Sequence, residues 1–133
     1  MSIVNKGFRG RRAESARQLP PGQHLTADFP VLQAGPTPRV DLDDWRFTIR
    51  NERGAHHEWT WAQLQGLPRE RLSVDIHCVT TWSKLDTEWE GVSLDTFFDS
   101  VNTEAKFALI GSYGGYTTNI PVADLLGGKA WIV

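Results

Sequence analysis

A period-two alternation of apolar and polar residues ends at the only cysteine of the chain and sets the strongest limit on the fold. In residues 71–78, RLSVDIHC, apolar and polar side chains alternate without interruption. Such an alternation predicts a β-strand with one buried and one solvated face. Cys78 falls on the apolar face at or near the end of this strand, and His77 falls on the opposite face.

Similar patterns predict further strands and short helices along the chain. Thr60 is expected to cap one short helix and Ser93 to begin another, with an apolar stripe at i, i+3, i+4 and i+7. A long polar loop is expected from Val79 to Glu90. The remaining expectations are strands at 44–50, near Trp59, at 106–111 and from residue 130, and a short helix at 121–126. The fold class is α+β: a mixed, β-rich domain with short helices.

Composition excludes several classes of protein. The formal net charge of −2 argues against a general nucleic-acid binder, and a single cysteine cannot form an internal disulfide. No apolar run approaches the roughly 20 residues of a membrane span, and no apolar segment follows Arg11 and Arg12 as an export signal would require. We therefore expect a cytoplasmic chain of one domain, with a flexible basic arm at 1–23 before the domain at 24–133.

The segment that carries chemistry begins at the cysteine. It reads CVTTWS from Cys78 to Ser83 and continues as WEGVSL from Trp89 to Leu94. This pattern resembles the cysteine signature of the sulfite oxidase-like molybdopterin oxidoreductases, in which a C-V-x-x-W-S loop precedes a W-x-G-V/F-x-L segment. His24, Leu25 and Thr26 resemble the lead-in of that family, so the resemblance runs from about residue 23 to the end.

The resemblance implies a sulfite oxidase-type molybdopterin-binding domain and a molybdenum–molybdopterin cofactor. Cys78 would be the thiolate ligand of the metal, since soft thiolates suit this coordination and the pterin dithiolene supplies further sulfurs. A bound metal also removes the thiol proton. The residues expected to contact the cofactor or wall its pocket are His24, His77, Thr80, Trp82, Ser83, Lys84, Ser112 and Tyr113.

The implied activity is two-electron oxygen-atom transfer to or from a small sulfur- or nitrogen-centred substrate, with an unidentified electron-transfer partner. Sulfite itself is disfavoured, because no arginine lies between Leu72 and Gly91 to hold the anion. The family domain also continues with strands that bring an arginine and a lysine to the pterin phosphate. We therefore expect the domain to be incomplete at its C-terminus.

Two alternatives stay open at this point. One is a truncated, cofactor-free domain that acts only as a folded or partner-binding module. The other is a cysteine hydrolase that pairs Cys78 with His77, although adjacent strand residues point to opposite faces. A zinc site is disfavoured because there is no second cysteine, and His56 and His57 are expected to be solvated beside a turn.

Overall fold

The computed structural model describes residues 19–133, and the greater part of the predicted basic arm at 1–23 lies outside them. The described chain consists of strands and a few very short helices. The strands are β1 (His24–Leu25), β2 (Arg46–Arg50), β3 (His56–Thr60), β4 (Glu70–His77), β5 (Trp82–Ser93), β6 (Phe107–Gly111), β7 (Thr117–Pro121) and β8 (Trp131–Ile132). The helices are α1 (Trp61–Gln65), α2 (Leu94–Phe98) and a 3-10 turn at Val122–Asp124. The β-rich expectation is confirmed, but five-residue helices fit the α+β label only roughly.

The strands form one four-stranded sheet, in which β5 is flanked by β1 and β4 and also pairs with β8, and two hairpins, β2–β3 and β6–β7. The chain divides into two compact units. We call residues 19–31 and 72–89 the cysteine unit, and residues 32–71 and 90–133 the core unit.

The core unit contains the buried apolar cluster. Leu64, Val92, Leu94, Phe97 and Leu125 form its centre. Phe97 is fully buried, and its ring meets the rings of Phe47 and Trp59 with 5.0 Å between centroids in each pair. The predicted alternation at 44–50 therefore describes β2 correctly, because Phe47 and Ile49 pack on this cluster.

Both helix starts expected from the sequence are present. Thr60 Oγ1 accepts a hydrogen bond from the Gln63 amide at 3.2 Å, and Gln63 Oε1 accepts one from the Thr60 amide at 2.8 Å, which is a capping box. Ser93 caps α2 through the Asp95 amide. The predicted helix at 121–126 is shorter, a single 3-10 turn.

The prediction of a long polar loop between Val79 and Glu90 is wrong. A turn of only residues 79–81 separates β4 from β5, and the other residues belong to β5. From Leu85 to Glu90 inward and exposed side chains alternate as in any strand. Thr87 is polar although it points inward, so the sequence shows no alternation of apolar and polar residues here. Its hydroxyl donates to the Val74 carbonyl and accepts from Trp89 Nε1 at 2.7 Å.

Within residues 19–133, no helix is long and apolar enough to cross a membrane.

Candidate functional site

Cys78 begins a tight turn between β4 and β5. The Cys78 amide donates to the Trp82 carbonyl at 2.9 Å, and the Thr81 amide donates to the Cys78 carbonyl at 3.0 Å. Thr81 has a φ of +75°, in the left-handed region. A three-residue hairpin loop of this kind needs a left-handed residue at its last position. A β-branched residue there stores strain of roughly 1–3 kcal/mol.

The thiol of Cys78 is polarised by the residue two positions later. Thr80 Oγ1 donates a hydrogen bond to Cys78 Sγ at 3.1 Å. This bond, together with the backbone amides of Thr80 and Val79, lowers the pKa of the Cys78 thiol against the opposing effect of burial. Hydrogen bonds to the charged form favour the thiolate, which is the form that binds metals and acts as a nucleophile.

The segment 23–26 runs beside this turn and holds it. β1 pairs in parallel with the start of β5, with His24 opposite Trp82. The His24 amide donates to the Thr81 carbonyl at 2.8 Å, and the Thr26 amide donates to the Ser83 carbonyl at 2.9 Å. The side chain of His24 is exposed.

A polar side-chain cluster lies behind the turn. Ser83 is fully buried, and its Oγ lies 2.7 Å from His77 Nδ1 and donates to Gln23 Oε1 at 3.0 Å. Gln23 Nε2 donates to the Cys78 carbonyl at 3.1 Å. His77 thus bonds to Ser83, while the thiol bonds to Thr80, and the geometry does not form a Cys78–His77 dyad.

Aromatic side chains adjoin the polar cluster. The Trp82 and Phe29 rings meet edge to face with 6.0 Å between centroids, and Lys84 Nζ lies 4.3 Å from the Phe29 centroid, within cation–π range. Trp82 is 9% exposed, and its buried Nε1 donor has no hydrogen-bond partner in the described part of the chain. An unsatisfied buried donor costs roughly 1–3 kcal/mol and is uncommon in folded proteins.

Ser112 and Tyr113 belong to the core unit, in the loop between β6 and β7. Tyr113 Oη accepts a hydrogen bond from the Arg46 amide at 2.6 Å and donates to the Arg46 carbonyl at 2.9 Å. The two loop residues border a largely apolar groove of about 700 Å³. This volume lies in the range of small-molecule pockets.

Six of the eight predicted contact residues share the cysteine unit with Cys78: His24, His77, Thr80, Trp82, Ser83 and Lys84. Ser112 and Tyr113 lie in the other unit, and the role of all eight as cofactor contacts stays a prediction. Sequence reasoning missed Gln23 as a site residue, since no local pattern reveals a contact 55 positions away.

Two other polar groups differ from expectation. His56 is exposed as predicted, but His57 is half-buried and stacks on Trp59. Glu90 is exposed on β5 rather than in a loop and forms ion pairs with Arg69 and Arg71, each at 3.2 Å.

Among residues 19–133, no three histidine, cysteine, aspartate or glutamate side chains form a group able to hold a metal ion.

Comparison with known proteins gives two matches. Residues 34–133 match the family model described as "Oxidoreductase molybdopterin binding domain". The chain is also 32% identical over 119 residues to "Uncharacterized oxidoreductase YuiH" of Bacillus subtilis (strain 168). That alignment covers 87% of this chain and 60% of the relative, so the chain spans only part of the relative's length. No solved structure matches the chain.

Proposed function

Because the chain belongs to the oxidoreductase molybdopterin binding domain family, we propose that it takes part in two-electron redox chemistry at a molybdenum cofactor ligated by Cys78. The observation that supports this role best is the state of the thiol. Cys78 lies at a strained turn, and the Thr80 hydroxyl donates to its sulfur. Metal binding requires the thiolate, and a lowered thiol pKa reduces the free-energy cost of removing the proton.

The residues of the cysteine unit fit a molybdopterin in two respects. A thiolate is a soft donor of the kind that complements the sulfurs of a pterin dithiolene. The unpartnered Trp82 Nε1 is a buried donor that an acceptor of a bound group would satisfy. When bound, the cofactor supplies a metal that exchanges two electrons and an oxygen atom with the substrate.

The protein groups have separate roles in this proposal. Cys78 binds the metal, and Thr80 stabilises its thiolate. Lys84, whose Nζ lies 4.3 Å from the Phe29 ring centroid, would offset negative charge of the pterin or its phosphate. Ser112 would offer a hydroxyl. Tyr113 would contact a ligand through its ring, because its hydroxyl is already bonded to the backbone of β2.

The finer features of the function rest on the sequence alone. We propose a small sulfur- or nitrogen-centred substrate in an oxygen-atom transfer, a separate electron-transfer partner and a cytoplasmic location. Sulfite stays disfavoured, since the segment from Leu72 to Gly91 carries lysine but no arginine.

The test is the molybdenum content of protein purified from a host that makes the cofactor. Wild type is compared with Cys78→Ala and with Val79→Ala, a control in the same turn at a residue that is 95% exposed. We expect near-stoichiometric metal in wild type and Val79→Ala, and little in Cys78→Ala. Equal metal in wild type and Cys78→Ala would contradict ligation by Cys78. No metal in any of the three would favour the cofactor-free module instead.

A further inference from the structure

The polar cluster behind the cysteine turn has only one possible direction of hydrogen bonding. The Cys78 carbonyl can only accept, so the Gln23 side chain presents its NH₂ group there at 3.1 Å. Its Oε1 then accepts from Ser83 Oγ at 3.0 Å, which uses the single hydroxyl proton. His77 Nδ1, 2.7 Å from that hydroxyl, must therefore be the donor. The chain of bonds runs from His77 through Ser83 and Gln23 to Cys78.

This polarity determines the form of His77. A neutral imidazole carries one N–H, and here it must be on Nδ1. Nε2 then holds the free lone pair.

The same chain of bonds fixes the backbone from which the thiol projects. The Cys78 carbonyl accepts from both the Thr81 amide and Gln23 Nε2, so both of its lone pairs are used. The link through Gln23 joins the turn to the segment that precedes β1. Ser83 is fully buried, so bulk water does not compete for its two partners.

We propose that Gln23 and Ser83 are positioning residues for the Cys78 thiolate, held in one orientation by an Nδ1-protonated His77. This inference rests on the proposed function, in which Cys78 is the metal ligand. Removal of a group that hydrogen-bonds to a metal-binding residue and orients it typically lowers metal affinity or activity by roughly 10- to 100-fold. Neither Gln23 nor Ser83 needs to touch the cofactor for this effect.

The first measurement uses the purified cofactor-free protein and NMR of the histidine ring nitrogens. We expect His77 to be the Nδ1–H tautomer when neutral in wild type and in Val79→Ala. In Ser83→Ala the acceptor is lost, and His77 should shift toward the Nε2–H form. An Nε2–H ring in the wild type would overturn the proposed direction of the hydrogen bonds. So would an Nδ1–H ring that persists unchanged in Ser83→Ala. This result does not depend on whether the protein binds molybdenum.

The second measurement tests positioning in protein from the cofactor-producing host. Gln23→Glu keeps the size and the acceptor toward Ser83 but places an oxygen against the Cys78 carbonyl, whereas Gln23→Met removes both bonds. We expect both variants to retain folding, to lose metal roughly tenfold or more relative to Val79→Ala, and to shift the thiolate-to-molybdenum absorption band of the remaining holoprotein. Wild-type metal content with an unshifted band in both variants would refute positioning by Gln23.

The two proposals fail in distinguishable ways. If Cys78→Ala binds as much metal as wild type, the ligand assignment fails whatever Gln23 does. If Cys78→Ala loses the metal and the Gln23 variants do not, the ligand assignment stands and the positioning role is wrong.

Discussion

Replacing Gly91 by alanine tests the close approach of β8 to β5. Gly91 is the glycine of the Trp89–Leu94 signature and is buried in β5, beside the point where β8 pairs at Val92 with Ile132. A Cβ at this position would overlap the carbonyl oxygen of Ile132 and lie 2.6 Å from Val133 Cγ1. Real Cβ atoms essentially never approach so closely, so β8 would have to move.

The size of the effect follows from what this movement disrupts. Forcing extra volume into packed structure costs typically 1–3 kcal/mol. Displacing β8 also weakens its pairing and the bond from the Leu94 amide to the Ala130 carbonyl, now 2.9 Å, at roughly 0.5–1.5 kcal/mol for a hydrogen bond. We expect Gly91→Ala to lower the free energy of unfolding by about 3 kcal/mol and the melting temperature by about 10 °C.

The assay is urea and thermal unfolding of the purified protein, followed by tryptophan fluorescence and circular dichroism. Gly114→Ala is the matched control, because its added Cβ would meet only Ser112 Oγ, at 3.8 Å, and its φ is not positive. We expect the control to lie within about 0.5 kcal/mol of wild type. If Gly91→Ala were as stable as Gly114→Ala, the tight approach of β8 to β5 would be refuted.

Three further outcomes follow from local geometry. Thr81→Gly should stabilise the protein by about 1 kcal/mol in urea unfolding, because glycine adopts the left-handed φ of +75° without strain; a loss of stability would contradict that conformation. Thr80→Val should raise the pKa of the Cys78 thiol, seen as a higher midpoint in the pH dependence of iodoacetamide labelling of cofactor-free protein; an unchanged midpoint would exclude the hydroxyl as its main cause. The pKa of Glu52 is lowered from its ordinary 4.5 to about 2, first by the Glu104 amide, so its contribution to stability is present above pH 4.5 and lost as the pH falls toward 2. Glu52→Gln should therefore destabilise the protein at pH 7 and approach wild type near pH 2, and a carboxyl midpoint near 4.5 by NMR would contradict this.

Local sequence patterns are sufficient to predict the features that depend on residues close along the chain. Alternation over 71–78 identified β4 and placed Cys78 on its half-buried face. Thr60 and Ser93 marked the starts of both helices, because a cap bonds to an amide two or three residues ahead. The cysteine signature also indicates the family correctly, because all of its residues lie within one continuous segment of the sequence.

How these features combine depends on contacts between residues that are distant along the chain. The polar residues from Val79 to Glu90 predict a loop, yet most of them lie in β5, where the Thr87 hydroxyl is satisfied by the Val74 carbonyl on the neighbouring strand. Gln23 carried no signal at all, since its importance arises from the Cys78 carbonyl 55 positions away. The physical reason is the same in both cases. A polar residue is stable in the interior when a distant partner bonds it, and periodicity and composition report only on residues that are close along the chain.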